Sequence, residues 1–240
     1  DTPGTTSVCY PGRVFTDDDE GIKSKKFVQR FLDATKSDML FANKVIMVEG
    51  LAEELLLPVM ANYMGFSLED EHVAIVSVGN RYFKHFLKLF DTQESHFAIP
   101  TKVVCITDRD PVRKKKTGGK FKQCYPYEIG INSENYEYSI NAKEEIRKYS
   151  THKSIRVFSQ DKDKGKTFEY DLVLYNPKLE LLLTESMSNK RELKKLMSKE
   201  SLPDMIDEMR SSEENNRIVA SVNLSSWSDE EKMKAIVASR

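Results

Sequence analysis

The chain has 240 residues, of which 39% are hydrophobic and 31% are charged, and its formal net charge is -1. This length suits one large domain, or a core domain with an appendage. No apolar stretch approaches the roughly 20 residues needed to cross a bilayer, and the acidic, polar N-terminus does not resemble a signal peptide.

The cysteines and histidines argue against several kinds of site. Cys9, Cys105 and Cys124 are odd in number and lack a Cys-x-x-Cys spacing, which disfavours a disulfide framework or a zinc site. The four histidines are scattered along the chain. A reduced, cytoplasmic compartment fits this usage best. Because the chain opens without a methionine and runs into Arg240 without a helix stop signal, we expect a fragment of a longer protein.

Helices and short buried strands alternate in the predicted first half. Residues 1–22 read as a linker, and an amphipathic helix follows over 22–40. Short apolar runs predict strands at 44–48, 73–78 and 103–106, with helices at 52–61 and 83–90 between them. This order predicts right-handed βαβ units and a parallel sheet.

The pattern weakens beyond residue 118. Short strands are expected around Tyr127 and over 136–140, a helix over 142–149, a strand over 155–158 and a polar loop over 160–166. Residues 168–174 fit a helix or a strand. From Pro177 onward the chain reads as several helices, the last beginning at Ser228 with an acidic first turn.

Acidic residues directly follow two of the predicted buried strands. Glu49 follows the first strand, with Glu53 four residues later, and Asp108 and Asp110 follow the third. The carboxyl ends of parallel strands meet at one edge of a sheet, where ligands bind. Carboxylates gathered there repel one another unless they are protonated or bound to a cation, and oxygen ligands suit Mg²⁺ or Mn²⁺. The sequence therefore predicts a metal site.

Structural roles are the alternative for each of these acids. Glu49 before Gly50 could favour a helix N-terminus, and Asp108 and Asp110 could cap a turn before Pro111. We favour the ligand interpretation because the two acidic clusters occur together. Glu53 lies one helical turn beyond Glu49, so it can face the same side.

Basic residues crowd the loop that begins at the second acidic cluster. A solvated loop is the alternative explanation for such a run, but this one starts at the predicted metal site, where a polyphosphate would need neutralising. We therefore expect a nucleic-acid-binding segment made of Arg109, Arg113, Lys114, Lys115, Lys116 and Lys120.

Glu-Gly after one strand and Asp-x-Asp after a later one resemble the Toprim domain of topoisomerases, bacterial primases and several nucleases. The closer resemblance is to the OLD (overcoming lysogenization defect) family of endonucleases, and it covers residues 40 to 175. The segments that carry it are residues 44–58, Val78-Gly79-Asn80 with Phe83-Lys84-His85-Phe86, residues 106–110, and Thr167-Phe168-Glu169-Tyr170-Asp171-Leu172.

The resemblance implies an α/β fold, namely a Toprim (Rossmann-like) parallel sheet flanked by helices with an added C-terminal helical segment. We accordingly expect an N-terminal linker and helix at 1–42, a Toprim catalytic core at 43–176 and a helical segment at 177–240. The last segment is expected to shape a DNA groove or to form a homodimer contact.

The implied function is that of a metal-dependent DNA endonuclease with a two-metal mechanism. By resemblance, Glu49, Asp108 and Asp110 are catalytic and hold one Mg²⁺ or Mn²⁺ ion, and Glu53 and Glu169 help to hold a second. Such prokaryotic nucleases are normally joined to an ABC-type ATPase domain, which this sequence lacks, and a role in defence against phage is implied.

Two lysine-containing motifs of interest are incomplete. Residues 117–121 nearly match a phosphate-binding loop but have Phe121 where a Ser or Thr must reach Mg²⁺, so no ATP site is expected. The resemblance also implies a lysine in a Gly-Lys-type segment near the end of the domain. That segment is not identified, and Lys232 and Lys234 are candidates for its role.

Two other functions compete with a nuclease. A non-catalytic Toprim module would bind DNA or a partner protein and use its acids only structurally. A phosphatase of the haloacid-dehalogenase type also begins its nucleophile motif with strand-Asp-x-Asp, but there the motif normally lies on the first core strand, whereas Asp108 follows the third.

Overall fold

The computed structural model describes residues 8–32, 36–79, 82–130, 132–140, 143–176 and 190–211. The chain divides into two compact units. Unit 1 comprises Asp1–Thr107 and Ala142–Phe158, and unit 2 comprises Asp108–Asn141 and Ser159–Arg240. The domain boundaries expected at residues 42 and 176 stay a prediction.

Unit 1 contains a four-stranded parallel sheet. Its strands are β1 (Lys44–Val48), β2 (Val73–Ser77), β3 (Lys102–Ile106) and β7 (Ile155–Phe158), in the spatial order β2-β1-β3-β7. Each is a short apolar run of the kind that a sheet covered on both faces requires. The predicted strands of this sheet are confirmed.

Helices flank this sheet, which confirms the predicted Toprim-type α/β fold. They are α1 (Asp19–Phe31), α2 (Leu51–Tyr63), α3 (Phe83–Leu87) and α4 (Lys143–Tyr149). Helix α1 begins after Asp18, whose carboxylate accepts a hydrogen bond from the N–H of Gly21 at 2.7 Å. It ends at Phe31, so the single helix expected over 22–40 is wrong, and residues Ser37–Leu40 form a separate 3₁₀ turn.

The core of unit 1 lies between the sheet and helices α1 and α3. Val45, Met47 and Cys105 of the sheet are buried there with Phe86 and Phe90. Helix α2 is apolar around most of its circumference and exposes several large side chains at its surface and just beyond its end: Leu51, Leu55, Met60, Tyr63, Met64 and Phe66.

Unit 2 contains a three-stranded antiparallel sheet and helices. Strands β4 (Val112–Lys115), β5 (Lys122–Gln123) and β6 (Tyr136–Ser139) take the order β5-β4-β6. Helices α5 (Phe168–Tyr175), α6 (Lys190–Met197) and α7 (Leu202–Ser211) follow. None of the described helices in either unit is long and apolar enough to span a membrane.

Two expectations for unit 2 change, and one that was left open is decided. The basic segment after Pro111 is a strand and a hairpin rather than a loop. The strand expected around Tyr127 is wrong, because Pro126–Glu128 forms a 3₁₀ turn. Residues 168–174, which fitted either element, lie in helix α5. The helix expected at Ser228, with Lys232 and Lys234, lies outside the described residues, as does Asn80.

Candidate active site

Glu49 lies at the carboxyl end of β1, between the ends of its two neighbouring strands. Parallel pairing matches Val48 with Ile106, so the residues that follow them, Glu49 and Thr107, also adjoin. The buried Thr107 hydroxyl donates a hydrogen bond to Oε1 of Glu49. From the other neighbour, the Ser77 hydroxyl donates to the main-chain oxygen of Glu49 at 3.4 Å. The sheet edge therefore fixes the direction of this carboxylate.

Glu53 lies in the first turn of α2 and is buried. Its carboxylate covers Gly50, since a Cβ atom placed on Gly50 would lie 2.9 Å from Oε2 of Glu53. Burial raises the pKa of the Glu53 carboxyl above its usual value, and the negative charge of Glu49 raises it further. A bound cation would relieve this unfavourable charge. Unit 1 thus carries two carboxylates whose charges interact.

Asp108 is held by the segment that precedes and begins α5. Its Oδ1 accepts hydrogen bonds from Nε2 of Gln160 at 2.6 Å and from the main-chain N–H of Phe168 at 3.0 Å. Because Phe168 is the first residue of α5, the positive end of the helix dipole also favours the negative charge. Oε1 of Gln160 accepts a hydrogen bond from the N–H of Arg109 at 2.7 Å. One amide side chain therefore contacts both the Asp108 carboxylate and the main chain next to it.

Asp110 has a left-handed backbone conformation, with φ at 39°. Asp and Asn adopt this conformation more readily than other residues that carry a Cβ atom. The N–H of Asp110 donates to the main-chain oxygen of Lys166 at 3.0 Å, and Nζ of Lys166 lies 3.8 Å from Oδ1 of Asp110. Lys166 is buried, and it contacts Asp110 through both its main chain and its side chain.

Two further acidic residues lie in the first turn of α5. Glu169 follows Phe168, whose N–H binds Asp108. Asp171 accepts a hydrogen bond from the main-chain N–H of Lys166 at 3.1 Å, and burial raises its pKa to about 6. The start of α5 is therefore adjacent to both aspartates of the Asp-x-Asp segment within unit 2.

Two of the predicted nucleic-acid-binding residues are engaged in ion pairs on the antiparallel sheet. Arg113 contacts Glu128 at 2.9 Å, and Lys114 contacts Glu137 at 3.1 Å. Exposed or partly exposed pairs of this kind contribute little to stability. These carboxylates still neutralise part of the positive charge of Arg113 and Lys114 when no ligand is bound.

The other basic residues have no ion-pair partner among the described residues. Lys115, Lys116 and Lys120 are exposed at the tip of the β4–β5 hairpin. Nε of Arg109 is buried and, among the described residues, makes no hydrogen bond. A buried donor without an acceptor is costly, so this atom is suited to an anionic ligand.

Gln160 and Lys166 were not among the predicted site residues. Gln160 carries no local signal, because its partner Asp108 is 52 residues away in the chain. Lys166 carries a weak sequence signal, because Gly165-Lys166 is a Gly-Lys dipeptide immediately before the Thr-Phe-Glu segment. The structure assigns both to the surroundings of the Asp-x-Asp segment.

The donor chemistry fits a hard divalent cation, although the donors are not gathered in one cluster. Across the described residues, no group of three or more His, Cys, Asp or Glu side chains is close enough to hold a metal ion. Mg²⁺ usually keeps several waters and binds one or two carboxylates together with substrate phosphates. Glu49 and Glu53 within unit 1 are carboxylates of this kind, and so, within unit 2, are Asp108 and Asp110.

Comparison with known families agrees with this fold. Residues 40–110 match the family described as "Overcoming lysogenization defect protein-like, TOPRIM domain", a span that begins four residues before β1 and ends at Asp110. The parallel sheet flanked by helices agrees with a Toprim α/β fold. Over residues 40–110 the chain is similar to the TOPRIM domain of OLD-like proteins. TOPRIM domains typically bind divalent metal ions.

Solved structures similar to the chain include C-terminal regions of two OLD proteins. The one from Xanthomonas campestris pv. campestris is 17% identical, with 83% of this chain and 93% of that chain covered and a TM-score of 0.43. The one from Burkholderia pseudomallei is 16% identical, with 83% and 98% covered and a TM-score of 0.45. Nothing among the curated proteins matches the chain.

Proposed function

We propose that this chain is a nuclease module that hydrolyses phosphodiester bonds in DNA with Mg²⁺ or Mn²⁺. The observation that carries the proposal is the hydrogen bond between Glu49 and Thr107 at the carboxyl edge of the parallel sheet. The peptide bond after Thr107 leads directly to Asp108, the first acid of the Asp-x-Asp segment. Ligand sites of open parallel sheets lie at this edge.

In the proposed site, Glu49, Asp108 and Asp110 are catalytic and hold one ion, and Glu53 and Glu169 help to hold a second. Divalent ions, when bound, supply an activated water and neutralise charge on the leaving oxygen. The protein's own contribution is positioning. Thr107 orients Glu49, and the segment before α5 orients both aspartates.

DNA is the proposed substrate because basic groups lie in the same unit as the Asp-x-Asp segment. The hairpin tip presents Lys115, Lys116 and Lys120 to solvent, where they can contact backbone phosphates. Arg109 lies between the two aspartates in the sequence, and its buried Nε makes no hydrogen bond to the part of the chain that the structure describes. Arg113 and Lys114 would have to exchange their carboxylate partners for phosphates.

Cleavage of supercoiled plasmid tests the proposal. The full chain should nick plasmid in Mg²⁺ or Mn²⁺ and not in EDTA. Asp108→Asn should lower the nicking rate by on the order of 10²- to 10³-fold, because it removes a charged oxygen ligand at nearly unchanged size. Glu134→Gln is the matched control, since it neutralises an exposed acid of the same unit. Metal-stimulated cleavage that persists unchanged in Asp108→Asn would exclude the proposal.

An ABC-type ATPase domain is the proposed partner, and defence against phage the proposed role, both on the resemblance to OLD nucleases. The Thr117–Phe121 segment does not have the geometry of a phosphate-binding loop. It forms the tip of an antiparallel hairpin, whereas a phosphate-binding loop leads into a helix N-terminus.

A non-catalytic DNA-binding module is the second candidate. It is favoured by the absence of a three-residue metal cluster from the described residues and by the contact of Lys166 with Asp110. Titration calorimetry separates the two functions. Binding of duplex DNA without any binding of Mg²⁺ or Mn²⁺ would support the second and exclude the first.

A further inference from the structure

We propose that Gln160 is a positioning residue for the site, and that it sets the direction of the Asp108 carboxylate. The inference rests on the proposed function, in which Asp108 is a metal ligand. Ligating carboxylates are generally oriented by hydrogen-bond donors around them, and loss of such a donor changes metal affinity. Gln160 touches no other proposed ligand in the hydrogen bonds that the structure gives it.

The amide of Gln160 is fixed by two hydrogen bonds of opposite direction. Its Nε2 donates to Oδ1 of Asp108 at 2.6 Å, and its Oε1 accepts from the N–H of Arg109 at 2.7 Å. Both bonds are short for N–H···O contacts. Because a rotation of the amide by half a turn would break both bonds at once, the donor is directed at Asp108.

The main chain after Gln160 forms a tight loop that packs against this residue. Oδ1 of Asp161 accepts hydrogen bonds from the main-chain N–H groups of Asp163 and Lys164, each at 2.9 Å. The main-chain oxygen of Asp161 accepts a further one from the N–H of Gly165 at 3.0 Å. A Cβ atom on Gly165 would lie 2.3 Å from Cβ of Gln160. The loop therefore closes directly against Gln160, and glycine at position 165 permits this.

A second hydrogen bond to Asp108, from a residue that Gln160 does not contact in the hydrogen bonds that the structure gives it, reports on the effect of Gln160 on the Asp108 carboxylate. The N–H of Phe168 donates to the same Oδ1 of Asp108 that Gln160 contacts. If Gln160 sets the direction of the carboxylate, loss of its donor will loosen the bond to Phe168 as well. If Gln160 only closes the loop, the Phe168 N–H will keep its acceptor.

Hydrogen exchange of the full chain without metal is the primary test, read by NMR at single amides. Gln160→Glu keeps an acceptor for Arg109 but replaces the donor to Asp108 with a carboxylate oxygen, whose repulsion adds to the loss of the hydrogen bond. Gln160→Met removes both contacts without adding a charge. We expect exchange at Phe168 to accelerate about 10-fold or more in both variants, as the loss of one hydrogen bond to a charged group predicts. Exchange at Arg109 should accelerate in Gln160→Met only. Lys162→Met, an exposed change in the same loop, is the control.

Calorimetric titration with Mn²⁺ forms the second arm. We expect Gln160→Met to bind Mn²⁺ about 10- to 100-fold more weakly than the unmodified chain. In an Asp108→Asn background the same change should have no further effect, because the group that Gln160 orients is already altered.

The outcomes separate this inference from the proposed function. Exchange at Phe168 that is equal in the unmodified chain and both Gln160 variants overturns the inference, whatever the metal does. An unmodified chain that binds no Mn²⁺ overturns the proposed function, and the exchange of Phe168 then decides the positioning role alone. A Gln160→Met effect on Mn²⁺ affinity that persists fully in the Asp108→Asn background also overturns the inference.

Discussion

Replacing Lys166 with methionine tests how much a buried ammonium group stabilises unit 2. Methionine keeps most of the apolar stem and removes the charge that lies 3.8 Å from Oδ1 of Asp110. The side chain of Lys166 is 6% exposed and that of Asp110 is 17% exposed, so little water can replace the lost cation. We therefore expect Lys166→Met to lower the free energy of unfolding.

The size of the effect follows from distance and burial. With an effective dielectric constant of about 20, two unit charges 3.8 Å apart attract by about 4 kcal/mol. The variant no longer has to desolvate an ammonium group, which returns part of this energy. Asp110 also keeps the hydrogen bond from its own N–H to the main chain of residue 166. We expect a net loss of about 1–3 kcal/mol, below the roughly 3–5 kcal/mol typical when a fully buried pair is broken.

Urea unfolding combined with hydrogen exchange measures this loss. Because the two units need not unfold together, exchange at the amides of α5 reports on unit 2. Lys162→Met serves as the control, since Lys162 is exposed in the same segment, and it should change stability by less than about 0.5 kcal/mol. The double change Lys166→Met with Asp110→Asn removes both charges and should recover most of the loss.

Two results would refute the reasoning about Lys166. One is a Lys166→Met variant that is no less stable than Lys162→Met. The other is a double variant that is as unstable as Lys166→Met alone, because the uncompensated carboxylate would then not be the cause.

Three further predictions concern other parts of unit 2. Gly165→Ala should destabilise the chain by about 1–3 kcal/mol through overpacking, whereas Gly12→Ala, with nothing within 4 Å, should be neutral in urea unfolding. Burial raises the Asp171 pKa from 3.8 to about 6, so the folded state binds the proton more tightly. The free energy of unfolding then falls as pH rises from about 4 to about 6, by at most about 3 kcal/mol. Asp171→Asn should remove this fall and stabilise the chain at pH 8. Changing Lys116 and Lys120 to serine should weaken duplex DNA binding and reduce the slope of log affinity against log salt by about 2.

Each of these has a contradicting result. Equal stability of the two alanine variants would mean that the loop relaxes around a Cβ atom at position 165. An unfolding free energy of Asp171→Asn with the same pH dependence as the unmodified chain would assign that dependence to another group. An unchanged salt slope in anisotropy measurements would exclude the hairpin tip from the proposed DNA interface.

The parallel sheet could be predicted because its signals are local. The runs at 44–48 and 103–106 are short, apolar and rich in β-branched residues, and they form β1 and β3 with those bounds or within one residue of them. Their parallel pairing then places Glu49 beside Thr107, which agrees with the expectation that acids after these strands lie at one sheet edge.

The antiparallel sheet could not be predicted in the same way. Strand β4 carries Arg113, Lys114 and Lys115, which lack the alternation of apolar and polar residues that marks a half-buried strand. Its pairing with β6 and the contacts of Arg113 with Glu128 and of Lys114 with Glu137 join residues that are distant in the chain. Charge alone suggested a solvated or ligand-binding loop.

Turn chemistry explains the error at Tyr127. Pro126 fixes the backbone at the first position of a 3₁₀ turn, and the Glu128 carboxylate accepts the N–H of Tyr125 at 2.7 Å. These local interactions outweigh the strand preference of the tyrosines. The role of Gln160 could not be predicted either, because its contact with Asp108 joins residues 52 positions apart and gives no local sequence pattern.

The left-handed backbone at Asp110 restricts which residues can occupy this position, independently of the chemistry that Asp110 is proposed to perform. Glycine, asparagine and aspartate can all accept this conformation, whereas a β-branched side chain such as valine would strain it. The backbone conformation alone would thus allow only a few residue types at position 110. The proposed role as a carboxylate ligand would reduce these to aspartate.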